Sequence, residues 1–145
     1  MNNKIEIKFK ALPENEAFAR TCVASFSLAL NPTLDEISDI KTAVSEAITN
    51  SVVHAYPNKK GDILMCMEIA GNELKISITD FGVGIKNIEE AMTPFYTSKP
   101  EDERSGMGFT VMDSFMDSLI VKNNTSKGVT VEMSKKIEKS SRMAV

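Results

Sequence analysis

Apolar Ile5, Ile7 and Phe9 alternate with polar Glu6 and Lys8, a period of two that predicts a half-buried strand at the start of the chain. After Pro13 the spacing changes to four. Phe18, Cys22, Phe26 and Leu30 recur at helical intervals and predict a helix over 14–30, ended by Asn31-Pro32. Thr33, followed three residues later by Glu36, is a capping box. Behind it Ile37, Ile40, Val44, Ala47, Ile48, Ser51, Val52 and Ala55 form one stripe of a long second helix. Residues 57–61, with a proline and a glycine, stop it. The period then returns to two. Ile63, Met65, Met67 and Ile69 precede a turn at Gly71-Asn72, and Leu74, Ile76 and Ile78 follow it, which predicts a hairpin. A short helix is expected at 88–92 and a long polar loop at 93–105. A further helix covers 109–116, a final hairpin joins 119–122 to 129–133, and a frayed polar tail runs from about 135 to 145.

The predicted order is β-α-α-β-β-loop-α-β-β. The grouping of helices beside hairpin strands predicts an α+β fold: a two-layer sandwich with a mixed, mainly antiparallel sheet and the helices on one face. No repeat or low-complexity linker divides the 145 residues, so a single domain over 1–145 is expected. The charge balance is 17 basic against 20 acidic side chains, a net of −3, which offers no positive field for a nucleic-acid backbone. Cys22 and Cys66 make no C-x-x-C pair and read as buried reduced thiols. His54, the one histidine, excludes a multi-histidine metal site and a serine–histidine nucleophile. No apolar run has membrane-span length and the first ten residues show no signal-peptide core, so a cytoplasmic protein is expected.

Three stretches carry candidate chemistry. On the long helix Glu46 and Asn50 are four apart and share a side displaced from the apolar stripe. A carboxylate there is a proton acceptor and a carboxamide oxygen a hard Mg²⁺ ligand; the plain alternative is a solvated polar face. Asp80, directly after an alternating strand and before Gly82 and Gly84, is either a fixed acceptor beside a close-approaching backbone or an ordinary turn residue. It belongs to no protein-kinase D-F-G set, because no H-R-D or V-A-I-K accompanies it, and no third glycine completes a Rossmann fingerprint. Gly106 and Gly108 open a helix whose free N–H groups and dipole favour an anion, and Lys99 and Arg104 precede them in a loop. Together the three are a plausible set of parts for a nucleotide pocket that is not a P-loop.

The arrangement resembles the ATP-binding domain shared by gyrase, Hsp90, bacterial histidine kinases and mismatch-repair ATPases. The stretch Glu46 to Asn50 with His54-Ala55 is similar to that family's N-box. Asp80-x-Gly82-x-Gly84 is similar to its first glycine box, Gly106-x-Gly108 to its second, and Gly128-x-Thr130 to its last motif. The likeness runs from about residue 5 to residue 134, and the chain's length points to the bare-domain protein-serine kinases that act as anti-sigma factors. The stretches from Glu46 to Tyr56 and from Glu103 to Asp113 most resemble the sporulation branch, with the general-stress branch as the alternative. The resemblance implies the Bergerat-type fold, ATP/ADP and Mg²⁺ as cofactors, a sigma factor as partner, an anti-anti-sigma factor phosphorylated on serine, and a homodimer. It implies Glu46 as catalytic base, Asn50 as Mg²⁺ ligand, and Asp80 as acceptor for the adenine amino group with Thr130 supporting it. His54, Gly82, Gly84 and Ile85 would line the nucleotide. Thr97, Ser98, Lys99, Arg104, Ser105, Gly106, Met107 and Gly108 would form a lid, and Phe109 would add to the nucleotide site; the second glycine box, with Met107 and Phe109, is short for a histidine kinase. Arg20, on the first helix, is a candidate partner contact. A sequestering module with little kinase activity is the remaining alternative.

Overall fold

The capping box forms as written. In the computed structural model, which describes residues 2–93 and 108–138, the Thr33 hydroxyl accepts the Glu36 N–H at 3.1 Å and the Glu36 carboxylate accepts the Thr33 N–H at 2.8 Å. Behind it α2 runs over Leu34–Asn50 and passes without a break into a π-helical turn, Ser51–Ala55. It follows β1 (Asn2–Lys10), α1 (Pro13–Ser27) and a 3₁₀ turn (Leu28–Leu30). Pro13 sits in the first turn of α1, where its missing N–H costs nothing, and Glu14 and Glu16 face the positive end of the helix dipole. After α2 come β2 (Asp62–Ala70), β3 (Glu73–Asp80), α3 (Ile88–Ala91), α4 (Gly108–Phe115), β4 (Ser118–Asn123) and β5 (Val129–Lys136).

Among the described residues five strands pair in the order β1-β2-β3-β5-β4, and all four pairings are antiparallel rather than mixed. Register sets two faces. Ile7, Met65, Ile78, Val131 and Val121 align in one row across every strand, under the helices. The adjacent row, Glu6, Cys66, Ser77, Glu132 and Ile120, points the other way. α2 lies between α1 and α4 on the covered face, and Ile40, Ile48, Met65, Met67, Ile76 and Met112 meet there fully buried. Among the described residues no helix is long and apolar enough to cross a membrane.

Three local expectations are corrected. The face of α1 that enters the core carries Ala19, Val23 and Ser27; Phe18 is 54% exposed and Cys22 and Phe26 are only half-buried. The helix is real, and Leu30 at the end of the predicted stripe is buried, but Phe18 faces outward and Cys22 and Phe26 pack only against the margin of the core. The cysteines are free and half-buried rather than buried, and desolvation still holds both thiols above their ordinary range. The tail does not begin at 135: β5 continues to Lys136, and Ile137 is completely buried with its N–H on the Asn72 carbonyl. Residues 139–145 lie outside the described chain.

Candidate functional site

Alternation along β3 puts Leu74, Ile76, Ile78 and Asp80 on the same buried face, so the strand's last residue delivers a carboxylate into the interior with 4% of its surface exposed. Three donors receive it. Oδ1 accepts the N–H groups of Gly82 and Val129, each at 3.1 Å, and Oδ2 accepts the Ser51 hydroxyl at 3.2 Å. Burial pushes the Asp80 carboxyl above its usual range, and these three bonds oppose the shift. An acceptor so placed, with a lone pair left on Oδ2, is matched to a ligand amine.

Backbone packs tightly around it. Val83 donates its N–H to the Ala55 carbonyl at 2.9 Å, and a Cβ on Gly82 would stand 2.0 Å from that oxygen. Gly128 has φ +91°, and a Cβ there would stand 2.0 Å from the Asp80 carbonyl oxygen. Both positions therefore require glycine. The Asn123 carboxamide accepts the Ile85 N–H and donates to the Ile85 carbonyl, both at 2.8 Å. Asn124 donates to the carbonyls of Asp80 and Lys127, at 3.1 and 3.0 Å.

These segments enclose a cavity of about 670 Å³, within the size range of small-molecule sites. Asn50 and His54 form its helix wall and Asp80, Gly82, Gly84 and Ile85 its strand-end wall, with Gly108 and Phe109 at the start of α4. The described part of the second glycine box meets the N-box directly. A Cβ on Gly108 would lie 3.2 Å from the Asn50 carboxamide and 3.3 Å from Glu46 Oε2. Glu46 does not line the cavity itself but stands beside this junction, one helical turn before Asn50. Lys86 and Lys127 add positive charge to the lining.

The structure does not bring Thr130 to Asp80. The Thr130 hydroxyl lies on the uncovered face of the sheet, 3.0 Å from the Thr79 hydroxyl, and donates to Asn124 Oδ1 at 2.6 Å. Alternation already carried that signal, since Val129, Val131 and Met133 take the covered face. Arg20 belongs to α1, with its side chain 40% exposed and bonded at 3.3 Å to Glu16, which also accepts from Ser45. Thr97, Ser98, Lys99, Arg104, Ser105, Gly106 and Met107 lie outside the described residues. Sequence reasoning missed Ser51 as a donor and Asn123 and Asn124 as clamps. A serine inside an apolar stripe was a readable sign of the first; two asparagines after a strand were too general for the second.

Residues 9–135 match the histidine kinase-like ATPase domain family. The anti-sigma F factor of Clostridium acetobutylicum is 55% identical to the chain over 136 residues, covering 94% of this chain and 95% of that protein. The anti-sigma F factor of a Clostridium botulinum strain is 55% identical over 135 residues, 92% of this chain and 94% of its own. That of Caldanaerobacter subterraneus subsp. tengcongensis is 52% identical over 136 residues, again 94% and 95%. With an ATPase domain matched over residues 9–135, and relatives more than half identical over at least 92% of its length, the chain belongs to the histidine kinase-like ATPase family, in the group of the anti-sigma F factors.

Proposed function

We propose that this chain is an anti-sigma factor that sequesters a sporulation sigma factor, sigma F, and acts as an ATP-dependent protein-serine kinase on the matching anti-anti-sigma factor. The observation that carries the reading is the buried Asp80 carboxylate, already holding three donors, at the inner end of a cavity between the N-box helix and the glycine segments. Its free lone pair takes the adenine amino group. The Asn50 carboxamide is a hard oxygen donor on the cavity wall, close to the start of α4. That chemistry fits Mg²⁺, which binds through one or two protein oxygens together with substrate phosphates and needs no all-protein cage. Bound there, the ion would neutralise phosphate charge. Glu46, beside the same junction, accepts the proton of the incoming serine hydroxyl as that oxygen attacks the γ-phosphorus and the bond to the β–γ bridging oxygen breaks. The start of α4 and the segment before it, including Lys99 and Arg104, hold the phosphates.

The binding function needs a separate surface. Arg20, bonded to Glu16, stands on α1 with its side chain 40% exposed. This face is the candidate contact for the sigma factor, met by a homodimer. One experiment tests both activities: γ-labelled ATP is incubated with the chain, sigma F and the anti-anti-sigma protein, with and without Mg²⁺, and the mixture is resolved on a sizing column. Mg²⁺-dependent label on a serine of the anti-anti-sigma protein, with nucleotide-dependent co-elution of sigma F, is expected. Co-elution without label reduces the protein to a sequestering module, and the absence of both label and co-elution overturns the reading.

A further inference from the structure

The β2–β3 hairpin closes through the two residues Gly71 and Asn72, so Ala70 and Glu73 face each other as a hydrogen-bonded pair and every second pair repeats the pattern. Along the register these pairs are Glu68 with Lys75, Cys66 with Ser77 and Leu64 with Thr79. The next in the series is Asp62 with Phe81, one residue beyond Asp80. At that rung a side chain stands between the strands. The Tyr56 hydroxyl donates to the Asp62 carbonyl at 2.6 Å and accepts the Phe81 N–H at 2.7 Å. Two bonds in series span more than the single bond of about 2.9 Å that would close the rung, so the strands part here.

The parting has a direction. Phe81 leaves β2, and two residues later Val83 donates to the carbonyl of Ala55, the residue before Tyr56. Tyr56 and Ala55 thus take the chain over from the sheet as it leaves β3. The ring is seated against Gly61, where a Cβ would stand 2.1 Å from it. Burial raises the phenol above its ordinary range, so at neutral pH the hydroxyl keeps the proton it donates to Asp62 while accepting from Phe81.

We propose that Tyr56 is a positioning residue for nucleotide recognition: its hydroxyl, inserted between Asp62 and Phe81, ends the ladder one residue past Asp80 and aims that carboxylate and the Gly82–Gly84 turn into the cavity. Tyr56 does not line the cavity and acts through Asp80. The inference rests on reading the cavity as an adenine-nucleotide site. Without the hydroxyl, Phe81 N–H closes on the Asp62 carbonyl and draws the turn off Ala55.

ADP and GDP affinities measured by calorimetry test this for wild type, Tyr56→Phe, Asp80→Asn and the double variant. Tyr56→Phe is expected to weaken ADP roughly tenfold, the scale of one lost hydrogen bond, and to narrow the preference for ADP over GDP. In the Asp80→Asn background the same change should cost less than about twofold, because both act on one contact. Gly61→Ala, which keeps the hydroxyl but unseats the ring, should reproduce the loss and covers the case in which Tyr56→Phe fails to fold. If wild type binds ADP and neither Tyr56→Phe nor Gly61→Ala weakens it, or if the losses of Tyr56→Phe and Asp80→Asn simply multiply, the positioning role is wrong. If wild type binds no ADP, the nucleotide reading itself falls and this inference with it.

Discussion

Asp80 is the residue on which the site turns, and its burial has a consequence in pH. Desolvation is the largest influence on its carboxyl and raises it above the ordinary aspartate range, against the N–H groups of Gly82 and Val129 and the Ser51 hydroxyl. The folded chain therefore holds this proton more tightly than the unfolded chain. Asp80's contribution to stability is fully present below its unfolded-state pKa and is lost as pH rises through the higher folded one. Nucleotide affinity runs the other way, because an amine needs the ionised acceptor. Calorimetric titrations of ADP are expected to weaken on acidification at a pH above the usual aspartate range, and Asp80→Asn should remove that limb along with most of the affinity. Glu46 makes a contrasting case beside the same cavity. Glu46→Gln is expected to leave ADP affinity unchanged and to slow label transfer by about 10²–10⁴, the usual worth of a general base. An unaltered transfer rate would remove Glu46 from that role.

At the scale of elements, the site is a junction between the end of one helix and the end of one strand. The capping box starts α2, and the regular apolar stripe carries it for seventeen residues, so Glu46, Asn50 and the π turn arrive at a fixed height over the sheet. Glycines let the strand end meet that helix. Gly82→Ala would place a methyl group 2.0 Å from the Ala55 carbonyl oxygen, a backbone atom with no rotamer to retreat into. The expected cost is about 1–3 kcal/mol of stability, the scale of overpacking in a tight interior, with loss of ADP binding. Denaturant unfolding and calorimetry on the same sample check both. α2 and the β2–β3 hairpin were legible because their signals are local: a cap, a two-residue turn and clean periods. The inner face of α1 was not. Phe18 turns outward and Cys22 and Phe26 pack only against the margin of the core, while the small Ala19, Val23 and Ser27 allow α1 to close against its neighbours.

For the whole molecule, β5 and the residue after it tie the chain's last described stretch into the core. Ile137 is wholly buried, and its N–H bonds the carbonyl of Asn72 in the β2–β3 turn. Ile137→Ala should cost about 2–5 kcal/mol, as an isoleucine truncated in a packed core does, whereas truncating an isoleucine in a frayed tail would cost almost nothing. Urea unfolding midpoints decide between them. The amino-acid sequence by itself determined the order of elements, the helix start at Thr33, the apolar rows of β2 and β3, and the identity of Asn50, Asp80, Gly82, Gly84 and Gly108, which line one cavity. Each of these depends on neighbours a few positions away. Only the tertiary structure decided that Ser51 and Val129 hold Asp80, that Thr130 turns away to Asn124, and that Tyr56 parts two strands. Those bonds join residues whose proximity follows from register and from which face of the sheet the helices cover, and both are settled by packing across the fold rather than along the chain.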